Sequence, residues 1–195
     1  MESIHNYIIS TNNRYNNKVN VADKELILNT EVTERDHVFV NRIATVESTP
    51  LEIKSPIKKG DQVIVHHNVF RRWFDIRGEE KNSTNFLTEN TYFVTPDQVF
   101  AYKRKKDWIS LPGFCFVKPV KNEDKWGLRD NENLAGELIY TNEHLKSLGL
   151  SKGDIVGFMP DSEYEFTVDG QKLYRILSNH ITINYGSKNK NSSSS

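Results

Sequence analysis

The side chains that could perform chemistry in this sequence do not form a recognisable catalytic or metal-binding pattern. His66 and His67 are adjacent, and neighbouring residues of a strand point to opposite faces, so both are poorly placed to bind one ion. No cysteine or carboxylate cluster stands near them at the spacing of a zinc site. The single cysteine, Cys115, lies between two phenylalanines, which favours a small apolar residue over a nucleophile. We therefore predict no metal site and no cofactor.

Patterns typical of other enzymes are also missing from the sequence. No serine lies in a nucleophile elbow, and no glycine-rich phosphate loop occurs. The paired carboxylates Glu79 and Glu80 lie in a polar segment and are interpreted as solvated. We therefore predict a protein without catalytic residues that is not an enzyme.

Length and composition limit the class of protein. The 195 residues fit one large domain or two domains of about 100 residues each. The formal net charge of zero argues against a protein that functions mainly by neutralising phosphates. One cysteine excludes an intramolecular disulfide, no apolar run approaches a membrane span, and the N-terminus lacks a signal-peptide pattern. These features predict a soluble cytoplasmic protein.

Alternating apolar and β-branched segments predict an all-β protein with very little helix. The segment at 142–148 is the best helix, with Asn142 as its cap and Gly149 as its end. The predicted strands cover residues 7–11, 37–46, 62–67, 92–94, 99–102, 113–120, 137–140, 154–158, 164–168, 172–177 and 180–184.

The order of these elements occurs twice. A Lys-Gly-Asp turn begins a strand in each half, at Gly60–Asp61 and at Gly153–Asp154. The second half has a hairpin turn at Asp169–Gly170, where the first half inserts residues 68–90. An ordered repeat of five elements is hard to obtain by chance. We predict two tandem domains, 1–107 and 108–186, joined near 103–108, and a disordered tail at 187–195.

The residues of this repeat resemble a known family. SLGLSKGDIVGF followed by YEFTVDGQKLYRILSNHITINY is similar to the C-terminal part of GroES-type co-chaperonins, and FCFVKPVKNED looks like the first strand of that family. The first half follows the same order more loosely. The resemblance implies two tandem GroES-like domains, each a small irregular β-barrel, that assemble as homo-oligomers. The length and the Asn/Lys bias suit a divergent, bacteriophage-encoded member acting in the host cytoplasm.

The resemblance also implies a partner, a GroEL-type chaperonin of host or viral origin. In the family, a mobile loop after the first strand binds the chaperonin through a hydrophobic tripeptide. The corresponding loop here is 12–36, and its apolar triplet is Leu26, Ile27 and Leu28. The alternative is that 25–32 is simply another strand. The equivalent loop of the second half, 122–134, has no such triplet.

Two basic clusters leave other functions open. Residues 103–106 lie beside Trp108, and Arg71 and Arg72 precede Trp73 and Phe74. Cations mixed with aromatic rings suit nucleic-acid binding, although a charged interdomain linker and a loop rim explain the clusters better. The first alternative to a co-chaperonin is a non-enzymatic virion or assembly module. Such a module would bind its partner through the 68–90 insertion. The second is a small-barrel nucleic-acid-binding protein.

Overall fold

Short strands rich in valine, isoleucine and aromatic residues dominate the structure, which confirms the all-β prediction. The computed structural model describes residues 2–15, 18–21, 24–27, 39–120 and 134–187. For 18–21 and 24–27 only the backbone is considered. The chain divides into two compact units, Met1–Asp107 and Trp108–Ser195.

The first unit contains ten described strands and two 3-10 turns, at His67–Val69 and Pro96–Gln98. The strands are β1 (Tyr7–Ser10), β2 (Lys18–Val21), β3 (Lys24–Ile27), β4 (Ile43–Ser48), β5 (Gln62–Val65), β6 (Arg72–Phe74), β7 (Glu80–Asn82), β8 (Phe86–Thr88), β9 (Thr91–Val94) and β10 (Val99–Arg104).

Strand β11 (Asp107–Ser110) starts at the boundary between the two units. The second unit also has the helix α1 (Glu143–Ser147) and a 3-10 turn at Ser178–His180. Its other strands are β12 (Phe114–Pro119), β13 (Ala135–Tyr140), β14 (Asp154–Phe158), β15 (Tyr164–Val168), β16 (Gln171–Leu177) and β17 (Ile181–Ser187).

The two units share one strand order. In the first unit, neighbouring strands of the main sheet follow the order β10-β5-β4-β1-β9-β8. In the second unit the order is β17-β14-β13-β12-β16-β15, and each strand occupies the place of its counterpart in the chain order. The strand pairs are antiparallel in both sheets. The repeat read from the sequence is therefore a repeat of topology.

The two Lys-Gly-Asp turns are built in the same way. Gly60 and Gly153 have φ of +87° and +94°, a region that only glycine enters without strain. The Asp61 carboxylate accepts a hydrogen bond from the amide of Lys58 at 2.9 Å, and Asp154 accepts one from the amide of Ser151 at 2.8 Å. Each aspartate therefore closes the turn that positions the following strand.

Two further local predictions are confirmed. The side chain of Asn142 caps α1 by accepting a hydrogen bond from the amide of Leu145 at 2.9 Å. Asp169 and Gly170 both have positive φ, 48° and 76°, in the two-residue turn between β15 and β16.

Each unit has an apolar core of its own. In the first unit, main-sheet residues such as Ile9, Val46, Ile64 and Tyr92 are buried, together with residues outside the sheet such as Phe70. In the second unit, Leu145 of α1 and Leu150 pack against Cys115, Leu138 and Ile176 of the sheet. Burial of these side chains supplies most of the free energy that holds each sheet.

Two predicted boundaries are wrong. Strand β4 begins at Ile43 and not at 37, and the backbone amide of Asn41 instead donates to the carbonyl of Arg14 at 2.9 Å. The 103–108 segment, where the two domains were predicted to join, contains the end of β10 at Arg104 and the start of β11 at Asp107, and the two compact units divide after Asp107. Ser187 belongs to β17 rather than to the tail, and 188–195 lie outside the described residues.

Candidate functional site

The insertion of the first unit is organised around a hairpin. Val69 and Phe70 are fully buried, and the Phe70 ring packs edge-on against Tyr92 with centroids 4.8 Å apart. Strand β6 then pairs with β7, with Arg72 opposite Asn82 and Phe74 opposite Glu80. The buried anchor thus fixes the base of the hairpin to the core, while its tip extends away from that anchor.

The hairpin tip is closed by one aspartate. The Asp75 carboxylate accepts hydrogen bonds from the amides of Arg77 and Glu79 at 2.8 and 3.0 Å, and Gly78 has φ of +78°. The hydrogen bond from the Glu79 amide is the main reason why the pKa of Asp75 lies below its ordinary 3.8. The carboxylate is therefore ionised at neutral pH and holds the turn.

The four predicted interaction residues lie on two faces of this hairpin. Arg71 directly precedes β6, and successive residues of an extended segment alternate between faces. Arg71 and Trp73 line a cleft, whereas Arg72 turns to the other side and lies over the Tyr15 ring at 5.2 Å. Phe74 shares the face of Arg72 by the same alternation. The segment thus offers two distinct surfaces.

A three-residue charge network ties the hairpin to the unit. Glu80 accepts hydrogen bonds from Arg14 and from Arg72, each at 3.1 Å. Arg14 also donates to the carbonyl of Phe70 at 3.2 Å, and the backbone amide of Arg72 donates to the hydroxyl of Tyr15 at 3.1 Å. Glu80 is exposed, as the sequence indicated, and it also joins two arginines that lie 66 and 8 residues away in sequence.

Tyr92 lies beneath this network. It is fully buried between the rings of Phe70 and Phe86, and burial, the main cause, raises the pKa of its hydroxyl above 10.0. Among the described residues its hydroxyl has no hydrogen-bond partner. Tyr92 therefore stabilises the first unit through the packing of its ring and not through a hydrogen bond of its hydroxyl.

An open cleft of about 460 Å³ lies beside β6. Among the described residues, one ring, one cation, amides and hydroxyls line it, without a carboxylate. Its walls include Asn68, Arg71, Trp73, Ser83, Asn85 and Gln98.

Two amides of the cleft hold each other in a fixed orientation. The side-chain nitrogen of Asn85 donates to the carbonyl of Phe93 at 2.7 Å and to the side-chain oxygen of Gln98 at 2.8 Å. The same Gln98 oxygen accepts from the amide of Thr95 at 3.3 Å. These bonds identify which amide atom is oxygen and which is nitrogen, because each bonded atom can only donate or only accept. Neither residue was predicted; Gln98 completes the capping-box pattern from Thr95 to Gln98, but that pattern marks a turn and not a cleft.

The tip of the hairpin exposes apolar surface. Trp73 is 49% exposed, Phe74 51% and Ile76 fully exposed. Large apolar side chains grouped on one projecting element are typical of protein-binding surfaces. The second unit has no such hairpin at the equivalent place. Residues 159–163 alone connect β14 and β15, which are the counterparts of β5 and β8.

The second basic cluster does not form a stacking surface. Trp108 is 6% exposed, and its ring nitrogen donates to the Asp169 carboxylate at 3.0 Å. Arg104 donates to the Asp61 carboxylate at 2.9 Å, so the guanidinium supports the Lys-Gly-Asp turn. The prediction that Trp108 could stack on a base is therefore wrong.

The predicted chaperonin-binding triplet falls on a strand and on an adjoining segment. Leu26 and Ile27 belong to β3, which pairs with β2 as a two-stranded sheet separate from the main sheet of the first unit. Leu28 lies outside the described residues, as does most of the equivalent second-half loop at 122–134. A paired strand thus lies within the region that the sequence suggested to be a mobile loop.

The other reactive side chains singled out in the sequence are Cys115, His66 and His67. Cys115 is fully buried, and burial raises the pKa of its thiol to about 12. His66 and His67 follow β5 instead of belonging to it, and their rings stack 4.4 Å apart, so the opposite-faces argument does not apply. Within the described ranges, no group of three or more His, Cys, Asp or Glu side chains is arranged to hold a metal ion.

Two comparisons with known proteins found no match for this chain. No protein-family model matches it, and no curated protein gives a significant match. Among the described residues, no helix combines the length and the apolar character needed to cross a bilayer.

Proposed function

We propose that the chain is a non-enzymatic, co-chaperonin-like protein that binds a GroEL-type chaperonin and assists protein folding. The observation that supports this proposal is the place of Leu26 and Ile27, which lie between β1 and β4 in the chain and outside the main sheet; their strand, β3, pairs with β2, as the alternative of another strand also predicted. In GroES-type proteins, which the sequence resembles, the loop at this place in the chain binds the chaperonin.

The proposed contact is weak in each copy and becomes strong by repetition. A short apolar segment buries little surface on binding, so the affinity of one copy is modest. Linking several copies in a homo-oligomer raises the effective concentration and therefore the overall affinity. Native mass spectrometry of the full chain should accordingly show an oligomer, and a monomer would contradict this part of the proposal.

Mixing the full-length protein with a GroEL-type chaperonin, with and without nucleotide, tests the proposal by size-exclusion chromatography. The double variant Leu26→Ser, Ile27→Ser should abolish co-elution. The matched control is Leu51→Ser, Ile53→Ser, which removes two aliphatic side chains that are exposed elsewhere on the same unit, 66% and 40%. Absence of a complex with the unaltered chain, or a complex that survives the first variant, would refute the proposal.

A second candidate is a non-enzymatic virion or assembly module that binds a protein partner through the β6–β7 hairpin. The exposed Trp73, Phe74 and Ile76 favour this candidate. A photo-reactive residue at Ile76 should cross-link the partner in cells, whereas one at the exposed Leu51 should not. Equal cross-linking at both positions would count against a specific contact at the hairpin.

A further inference from the structure

The cleft beside β6 combines an aromatic ring with several neutral polar side chains. We propose that it binds a neutral sugar ring, with the apolar face of the sugar stacked on Trp73 and its hydroxyls bonded to Asn85 and Gln98. The cleft volume of about 460 Å³ lies within the usual range of ligand pockets, about 300–1,000 Å³. The proposal goes beyond chaperonin binding, and no variant that tests it alters Leu26 or Ile27.

The lining of the cleft matches the surface of a sugar better than that of a flat base. Among the described residues, Trp73 lines it together with five neutral polar side chains, those of Asn68, Ser83, Thr84, Asn85 and Gln98. A pyranose has a face of C–H groups and a rim of hydroxyls, so it needs one apolar wall and several hydrogen-bond partners. An enclosed nucleobase instead stacks between apolar side chains on both of its faces. A neutral ligand needs no charge from the wall, so no contact is assigned to Arg71.

The half-exposed ring of Trp73 supplies the apolar wall. An indole that is 49% exposed keeps part of its surface open to a ligand. The face of an aromatic ring carries partial negative charge, so it attracts the weakly positive hydrogens of C–H groups. The alternation of β6 places Trp73 at the cleft and Phe74 on the other face. Trp73 can therefore stack on a sugar in the cleft, whereas Phe74 cannot.

Two amides of the cleft provide hydrogen bonds of fixed direction. Because the Asn85 nitrogen bonds the Gln98 oxygen at 2.8 Å, the atoms left for a ligand are the Asn85 oxygen and the Gln98 nitrogen. Within the part of the chain that the structure describes, neither atom has a hydrogen bond, and both are accessible to solvent. Each sugar hydroxyl both donates and accepts, so neighbouring hydroxyls of one ring can bond this acceptor and this donor together.

The other polar side chains extend the wall for further hydroxyls. The Ser83 hydroxyl donates to the carbonyl of Val69 at 2.6 Å, which leaves its oxygen as an acceptor. Asn68 and Thr84 are exposed side chains of the cleft and can both donate and accept. A ligand with several hydroxyls can therefore bond more of this wall than a ligand with one or two polar atoms.

Calorimetric titration and saturation-transfer NMR of the full-length protein test the proposal. The probes are the methyl glycosides of glucose, galactose, mannose and N-acetylglucosamine, with adenosine and glycerol for comparison. We expect at least one glycoside to bind, and the C–H protons on one face of its ring to receive most of the saturation. Glycerol has hydroxyls but no apolar ring face, and adenosine presents a flat base, so both should bind more weakly than that glycoside.

A single sugar and the end of a glycan chain share this chemistry, and further probes separate them. Tighter binding of a disaccharide that contains the preferred sugar would identify a glycan chain as the source, whereas equal binding would identify the single sugar. Deoxy derivatives of the preferred glycoside each lack one hydroxyl. Removal of a hydroxyl that bonds the fixed amides should weaken binding by about 2- to 10-fold.

Matched variants locate the site. Trp73→Ala should weaken binding of the preferred glycoside by at least about fivefold, because it removes the stacking surface. Phe74→Ala removes a ring of similar exposure, 51%, on the opposite face, and should leave binding unchanged. Circular dichroism establishes that each variant is folded.

Three results would overturn the proposal. The first is the absence of binding by every glycoside and disaccharide tested. The second is unchanged binding in Trp73→Ala, or equal loss in Trp73→Ala and Phe74→Ala, which would mean that the hairpin matters only structurally. The third is binding of adenosine or glycerol at least as tight as that of the best glycoside.

Discussion

Replacing Glu80 with glutamine should loosen the β6–β7 hairpin without unfolding the first unit. Glu80 bridges Arg14, which precedes β2, and Arg72 of β6, with both N–O distances at 3.1 Å. Glutamine keeps the size of the side chain and removes its charge, so the perturbation is electrostatic. The buried anchor at Val69 and Phe70 stays in place, and the loss should therefore be confined to the hairpin.

The size of the effect follows from the exposure of the partners. The side chains of Arg14 and Arg72 are 19% and 30% exposed, and that of Glu80 is 37% exposed. Such pairs fall between exposed ion pairs, which contribute about 0–1 kcal/mol, and buried charged hydrogen bonds, which contribute about 1.5–3 kcal/mol. We expect the two pairs together to contribute about 1–2 kcal/mol, equivalent to a roughly 5- to 30-fold rise in hairpin opening.

Hydrogen exchange with peptide-resolved mass spectrometry measures that opening in the full-length chain. Amides of 72–82 should exchange faster in Glu80→Gln, while those of β1 and β4 should not change. The control is Glu79→Gln on the same hairpin, where the lost pair with Lys81 joins side chains that are 61% and 44% exposed. Its effect should be close to zero. Unchanged exchange in Glu80→Gln, or equal acceleration in both variants, would refute the reasoning.

Two other predictions concern single residues. Gly136→Ala should lower the free energy of unfolding of the second unit by about 1–3 kcal/mol, because the new Cβ would lie 2.9 Å from the Val117 side chain. Hydrogen exchange of the β12 and β13 amides should become faster, and unchanged exchange would contradict this prediction. Because the folded pKa of Asp75 is lowered, its turn is stabilised above pH of about 3.8 and loses that contribution as pH falls through the folded pKa. An NMR titration of the Asp75 carboxyl in the native protein should give a midpoint below 3.8, and a midpoint at or above it would contradict the bonding of the turn.

The elements of the main sheets were predictable because their signals are local. Alternating apolar residues predicted most of the strands, and the repeated Lys-Gly-Asp turns aligned two sets of strands that prove to have the same order. Strands β2, β6, β7, β8 and β11 were not predicted, since each has only three or four residues, a run too short for its alternation to be detected. The predicted insertion at 68–90 covers β6, β7 and β8. Closure of the sheets into barrels stays a prediction.

The candidate site was predictable only in part. The sequence placed Arg71, Arg72, Trp73 and Phe74 on one surface, because residue types alone do not show to which face a side chain points. The structure places Arg71 and Trp73 at a cleft and Arg72 in an ion-pair network, and it leaves the Phe74 ring half exposed. Gln98 joins the cleft from a turn that follows β9; its capping-box pattern marks the turn, but no local pattern shows that the turn reaches the cleft.

The sequence by itself determined the all-β class, the repeated turns, the cap of α1 at Asn142 and the turn at Asp169. Each of these depends on interactions among residues a few positions apart, so composition and spacing are sufficient. Only the tertiary structure decided that Trp108 is buried against Asp169, 61 residues away, and that Glu80 binds Arg14, 66 residues away. Such pairings arise when packing of the core brings distant segments together, and that packing depends on the whole chain.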